Sequence, residues 1–146
     1  MEVVEADEMW SFVQNKGNQR WIWYAIDKQT RAILAFVFGK RELNGKNEAF
    51  LELRALLEPF GIKTFCTDGL STYERNLAGF THIIGKKNTQ RIERKNLTLR
   101  TRIKRLCRKT ICYSKCQTMH DIVIGLVINI LEFGLTACRV VNICRT

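Results

Sequence analysis

Three segments near the start of the chain combine aromatic and aliphatic residues over strand-like lengths: VVEADEMWSFV (3–13), RWIWYAI (20–26) and RAILAFVFG (31–39). The connectors between them, carrying Asn15, Gly17 and Asn18 and then Asp27 to Thr30, are short and polar. Such connectors let each strand double back on the one before, so the expectation is a three-stranded antiparallel meander. Asn44 and Gly45 break the pattern. Asn47 can then cap a helix whose Phe50, Leu53, Leu56, Leu57 and Phe60 recur at helical spacing, with the lone proline, Pro59, near its end. Two further short strands are expected in IKTFCTDG (62–69) and FTHIIG (80–85), with one or two helical turns of STYERNLAG between them. From Thr89 onward, Ile92, Leu99, Ile103 and Leu106 keep helical spacing while cations fill the other faces, which predicts a long basic amphipathic helix. A final helix is expected from about Met119 to Phe133, and the last residues, GLTACRVVNICRT, show no clear pattern.

A meander followed by strands alternating with helices predicts an α/β fold, a mixed sheet of the meander plus two further strands flanked by helices. That is the order of a ribonuclease-H-like domain. A chain of 146 residues with 46% hydrophobic and 26% charged content suits one globular core. The expected organisation is therefore a single domain over 1–133 and an unassigned tail over 134–146. The apolar run from Ile122 to Phe133 contains Gly125, Asn129 and Glu132 and is too short to span a bilayer, so it reads as a buried helix and no membrane partner is expected.

Charge changes this picture by pointing to a partner. Residues 1–74 hold eleven acids and nine Lys or Arg, whereas residues 75–146 hold three acids and fifteen Lys or Arg. A cationic half suits a polyanion, because each neutralised phosphate releases condensed counterions. A merely soluble basic surface is the plainer alternative. The six cysteines (66, 107, 112, 116, 138 and 144) follow a charged start, MEVVEADEMW, with no secretory signal, so reduced thiols and an intracellular location are expected. Cys112, Cys116 and His120 recur every four residues and could share a helix face as a metal clip. The usual paired CxxC is absent and no fourth ligand is evident, which weighs against zinc.

Three acids stand out by position. Asp7 lies mid-strand, on the face shared by Val3, Glu5, Met9 and Ser11, where an unpaired acid would be costly. Asp68 ends the fourth strand, and ligands of open α/β sheets gather beyond the carboxyl ends of strands. Glu93 is the only acid between Glu74 and Asp121, an interval with thirteen Lys and Arg, and falls in the first turn of the basic helix. Gathered at one sheet edge, these carboxylates would suit the hard cations Mg²⁺ or Mn²⁺. Taken singly, each has an ordinary explanation: a strand acid paired with lysine, an Asp-Gly turn, and an acid favoured by a helix N-terminus.

The stretches VEADEMWSFV, QRWIWYAID, FVFG, TDGLSTYE and above all TQRIERKNLTLRTRIKRLCRKT resemble the transposases of the insertion-sequence-one family, in consistent order from about Glu2 to Phe133. The resemblance implies a DDE transposase of ribonuclease-H-like fold, with Asp7, Asp68 and Glu93 as catalytic and metal-binding acids and twenty-four residues between the last two. It implies Mg²⁺ (or Mn²⁺), as two ions, with Asp7 bridging them. Gln90, Arg91, Arg94, Asn96 and Arg100 recur in the family pattern, where Arg and Asn could hold phosphates, fix the Glu93 rotamer or simply brace the fold; Arg91, Arg94, Lys95, Asn96, Arg100, Lys104 and Arg105 are the expected DNA-binding residues. His82 also recurs, more in keeping with a structural histidine than a catalytic one. Trp10, Trp21 and Trp23 could stack on bases, but in strands they are expected to pack the sheet.

The implied partners are double-stranded DNA, as transposon ends and target, and an upstream zinc-binding and helix-turn-helix segment fused by translational frameshifting. Because this chain begins near the first catalytic strand, recognition of element ends is expected to reside in that segment. A homo-oligomer on DNA, in the cytoplasm or nucleoid, completes the expectation. Two competing readings remain: a ribonuclease-H-like nuclease without strand transfer, in which Glu5 or Glu8 supplies a fourth carboxylate, and a non-catalytic basic DNA-binding regulator.

Overall fold

The structure, a computed structural model, describes residues 3–42, 47–69 and 71–134; the break expected at Asn44 and Gly45, most of the expected tail, and Cys138 and Cys144 lie outside the described residues. Five strands form one mixed sheet. They are β1 (Val3–Val13), β2 (Asn15–Asp27), β3 (Ile33–Gly39), β4 (Thr64–Thr67) and β5 (Thr81–Ile84), in the order β3-β2-β1-β4-β5. β2 and β3 run antiparallel, while β4 is parallel to both β1 and β5. The middle strand is buried on both faces, with Val4, Glu5 and Ala6 in succession nearly inaccessible. Such a strand reads as a continuous buried run instead of a clean alternation.

The described residues gather into two compact units, those within 1–9 and 21–96 and those within 10–20 and 97–134. The first unit is built on the helix α1 (Glu48–Leu57), which starts as expected at Asn47, whose side chain accepts from the Phe50 N–H at 3.1 Å. Its Ala49, Phe50, Leu53 and Leu57 pack with Val4, Trp23, Ala35, Phe65 and Tyr73 in one apolar cluster. Each large side chain so buried contributes roughly 1.5–3 kcal/mol. The end of β3 approaches α1 so closely that a Cβ at Gly39 would lie 2.6 Å from that of Ala49. Pro59 falls in a 3₁₀ turn that follows α1, and the short helix α2 (Ser71–Asn76) lies between β4 and β5.

The basic helix α3 (Gln90–Arg102) is shorter than its apolar spacing predicts. Ile103 donates its N–H to Leu99 O at 2.8 Å but takes an extended conformation (φ −113°, ψ 103°), and Lys104–Leu106 form a 3₁₀ turn. The interval of three from Ile103 to Leu106 serves a 3₁₀ turn as well as a helix, so the pattern continues where the helix does not. In the second unit, α4 (Gln117–Phe133) starts slightly earlier than expected and buries His120, Ile124, Gly125 and Ile128. No helix among the described residues is long and apolar enough to cross a membrane.

Candidate active site

The parallel register of β1 and β4 pairs Val3 with Thr64, Val4 with Phe65 and Glu5 with Cys66. Carried two residues further, the same offset sets Asp7 level with Asp68, just past the end of β4. The structure thus brings these two acids together at the carboxyl ends of adjacent strands, where open sheets hold ligands. Glu8 joins them: donor oxygens of Asp7, Glu8 and Asp68 all lie within 4.8 Å of one another.

Their electrostatics are those of crowded like charges. The Asp7 carboxyl is pushed above its ordinary range, first by burial and then by the charges of Asp68 and Glu93. Hydrogen bonds work against that rise, since Asp7 accepts from Asn96 Nδ2 at 2.7 Å and from the Glu8 N–H at 2.9 Å. Glu8 is also pushed up by burial and by Asp7 and Asp68, although it accepts from the Tyr73 hydroxyl and pairs with Arg41 at 3.2 Å. Only 4% of the Glu8 side chain is exposed, so its carboxyl is held by those two partners and not by water. Three oxygen donors with no nitrogen or sulfur among them form a set suited to Mg²⁺ or Mn²⁺.

Glu93 stands on the first turn of α3, exposed and outside that trio. Its proximity registers as one of the charges that raise Asp7. The helix that carries it is tied to β1 at both ends of its first turns. Glu5, 1% exposed, accepts from the Arg91 N–H at 3.2 Å, a favourable place for an acid at a helix N-terminus. Asn96 then reaches back to Asp7.

The residues expected to bind DNA fall into different environments. Asn96 is 8% exposed and faces Asp7 and the Tyr24 hydroxyl, so a solvent-side phosphate contact does not match its placement. Arg91 is exposed and donates to the Lys28 carbonyl. Arg94 is exposed, while Lys95 is half-buried. In the second unit Lys104 is exposed, Arg100 is half-buried, and Arg105 donates to Ser114 Oγ at 3.1 Å. Trp23 is buried in the core, Trp21 lies under Arg41, and Trp10 under Arg108, with the guanidinium carbons 4.7 and 4.6 Å from the ring centroids. His82, half-buried, bonds Thr67 Oγ1.

The spacing of Cys112, Cys116 and His120 does not produce a shared helix face. Cys112 lies in an irregular segment and Cys116 precedes α4, both exposed and both free thiols, whereas His120 is fully buried. Both ring nitrogens of His120 are engaged, Nε2 with Ser11 Oγ at 2.8 Å and Nδ1 with Ser114 Oγ at 2.6 Å. Ser11 has one hydroxyl proton and gives it to the Arg20 carbonyl at 3.1 Å, so Nε2–H donates to Ser11 and Ser114 donates to Nδ1. Beside this knot Arg20 grips Asp121 through two bonds of 3.1 and 2.6 Å. Burial lowers the His120 pKa to about 4.

The mixed five-stranded sheet with flanking helices is a ribonuclease-H-like fold, and solved structures agree. The chain aligns at a TM-score of 0.67 and 15% identity, over 94% of its length, with a chain of the simian T-cell lymphotropic virus intasome in complex with PP2A regulatory subunit B56 gamma. It spans about half (51%) of that chain. At the level of sequence, a family model described as IS1 transposase matches residues 1–134, and the protein belongs to that family. It is 50% identical over 123 residues to the insertion element iso-IS1n protein InsB of Shigella dysenteriae, covering 84% of this chain and 91% of that one. It is 43% identical over 129 residues to the insertion element IS1 protein InsB of Shigella sonnei, covering 88% and 95% respectively. The InsB protein of insertion element IS1 4 in Escherichia coli (strain K12) matches at 43% identity, over 88% of this chain and 75% of that protein.

Proposed function

We propose that the chain is a DNA transposase that cuts and joins DNA strands in a metal-dependent reaction during transposition of an insertion sequence. The observation that carries this reading is the register that sets Asp7 level with Asp68, with both crowded carboxyls Asp7 and Glu8 raised above their ordinary range. A cluster of acids that repel one another is a set of ligands matched to cations.

Asp7, Asp68 and Glu93 are the residues that would hold Mg²⁺ or Mn²⁺. Bound there as a pair, such ions supply Lewis-acid stabilisation to the attacking and leaving oxygens of a phosphodiester. The chain's own part is positioning. Glu5 and Asn96 tie α3, whose first turn carries Glu93, to β1, and Tyr73 with Arg41 holds Glu8. Arg94, Lys95 and Lys104 of the basic stretch would hold the phosphate backbone of double-stranded DNA. In the first reaction water attacks a phosphodiester at an element end, forming one P–O bond and breaking another to leave a 3′-OH. In the second that 3′-OH attacks a target phosphodiester and expels the target's own 3′ oxygen. Recognition of the ends would come from a fused upstream segment, and two ends would be bridged by more than one copy.

Glu8 favours a second reading, a nuclease of the same fold that hydrolyses without joining, because it provides the additional carboxylate such a site uses. Incubating the chain with supercoiled DNA and Mg²⁺ beside Glu93→Gln separates the readings. Nicking and end joining, both lost in the variant, is the expected result. Cleavage of an RNA/DNA hybrid with no joining favours the nuclease, and DNA binding indifferent to Mg²⁺ overturns both.

A further inference from the structure

Resting on that reading of the carboxylates, we infer that Asn96 is the positioning residue that aims Asp7 at the metal site, itself oriented by the Tyr24 hydroxyl, and is not a contact to DNA. Three observations carry this. Asn96 is buried, so its amide has no route to a phosphate on the helix's outer face. Its Nδ2 donates to Asp7 Oδ2 at 2.7 Å. Its Oδ1 accepts from Tyr24 OH, a fully buried hydroxyl on β2 that also lies 3.3 Å from the Ile92 carbonyl one turn earlier on α3.

The amide direction follows from this pairing. A carboxylate only accepts, so Nδ2 is the end that faces Asp7, and the Tyr24 proton pointed at Oδ1 anchors the amide from its other side. Without the hydroxyl, the amide loses that second anchor and can swing off Asp7. The other carboxylate oxygen of Asp7 is held by the Glu8 N–H at 2.9 Å. Both oxygens are thus fixed by one bond each, and each keeps a lone pair for a cation. Asn96 follows Glu93 by three residues on the same helix, so one rigid element sets the spacing between Asp7 and Glu93. Groups that orient metal ligands in this way typically change affinity about 10- to 100-fold when removed.

The test measures Mn²⁺ affinity of the full chain without DNA by calorimetry, and DNA affinity in EDTA across a salt series, for wild type, Asp7→Asn, Tyr24→Phe, Asn96→Ala and the double variant. Expected are a loss of about tenfold or more in Mn²⁺ affinity for Asn96→Ala and a smaller loss for Tyr24→Phe. The double variant should lose no more than Asn96→Ala, because Tyr24 acts only through Asn96. DNA affinity and its salt slope should not move. Tyr24→Phe removes only a hydroxyl and keeps the buried ring, so it serves should Asn96→Ala fail to fold. Losses that add in the double variant overturn the inference, as does unchanged Mn²⁺ affinity with a reduced DNA salt slope. Wild-type Mn²⁺ binding that is indifferent to Asp7→Asn overturns the underlying reading of the site instead.

Discussion

Two buried polar clusters, one in each compact unit, use similar groups to opposite ends. Around His120, every proton has an acceptor within the chain: Nε2–H to Ser11, Ser114 to Nδ1, Ser11 to the Arg20 carbonyl, and Arg105 to Ser114. Burial keeps the ring neutral, and nothing in the knot calls for a ligand. Around Asp7 the neighbours are other acids, and hydrogen bonds from Asn96, Tyr73 and the Glu8 N–H offset only part of their repulsion. A polar cluster closed on itself is architecture, and one that remains electrostatically unbalanced is a receptor for charge of the other sign.

That contrast is open to attack from several sides. The largest effect is expected of Asp7→Asn. Cleavage should fall by about a thousandfold or more, roughly 4 kcal/mol of barrier, while the metal-free thermal midpoint near pH 8 stays level or rises because one buried like charge is gone. A drop in the midpoint would make Asp7 a structural acid. Next comes His120→Ala, which empties the knot and strands Ser114 and Ser11. Denaturant unfolding should show a loss of about 2–4 kcal/mol.

Acidification probes the same knot without mutation. The His120 pKa is lowered when folded, from 6.5 to about 4, so the unfolded chain binds the extra proton first. Its contribution is complete above about pH 6.5 and is lost as pH falls toward 4, on the order of 3 kcal/mol in all. Wild type should lose that stability over this window and His120→Ala should lose less. The raised carboxyls tilt the other way: without metal, stability falls as pH rises above the ordinary carboxyl range, and adding Mg²⁺ should flatten that slope. Smallest is Arg20→Ala, which removes a partly exposed two-bond pair to Asp121 and should cost about 1 kcal/mol at low salt, less at high salt.

Much of the frame was legible in the residues because it rests on local rules. The Asn47 cap, the extent of β1 and the place of Asp68 after its strand each depend on a few neighbours, whereas β2 begins at Asn15 and takes in Gly17 and Asn18, polar residues that suggest a connector by type alone. Where side chains from distant segments decide, local rules say less. Period-two alternation sends Asp7 and Glu8 to opposite faces, so Glu8 was weighed only as a spare carboxylate and not as a member of the cluster. Asn96 is a polar residue in a basic stretch, where a phosphate contact is the local expectation, and its hydrogen bond from Tyr24, 72 residues earlier in sequence, lies beyond any local pattern. His120 read with Cys112 and Cys116 by spacing alone, whereas two serines from other segments settle its role. Glu5 was placed on Asp7's face, but its bond to the start of α3 depends on how helix and strand meet.

The three-residue interval between Glu93 and Asn96 makes α3 a ruler without slack. At about 100° of turn per residue, one codon gained or lost between them in frame would swing Asn96 away from Asp7 and Tyr24 while leaving charge, composition and helix propensity almost untouched. Substitutions scattered along the outer face of α3 would do far less. Among drifting copies of such a gene, a working copy would be told from a dead one by the length of that stretch before its spelling.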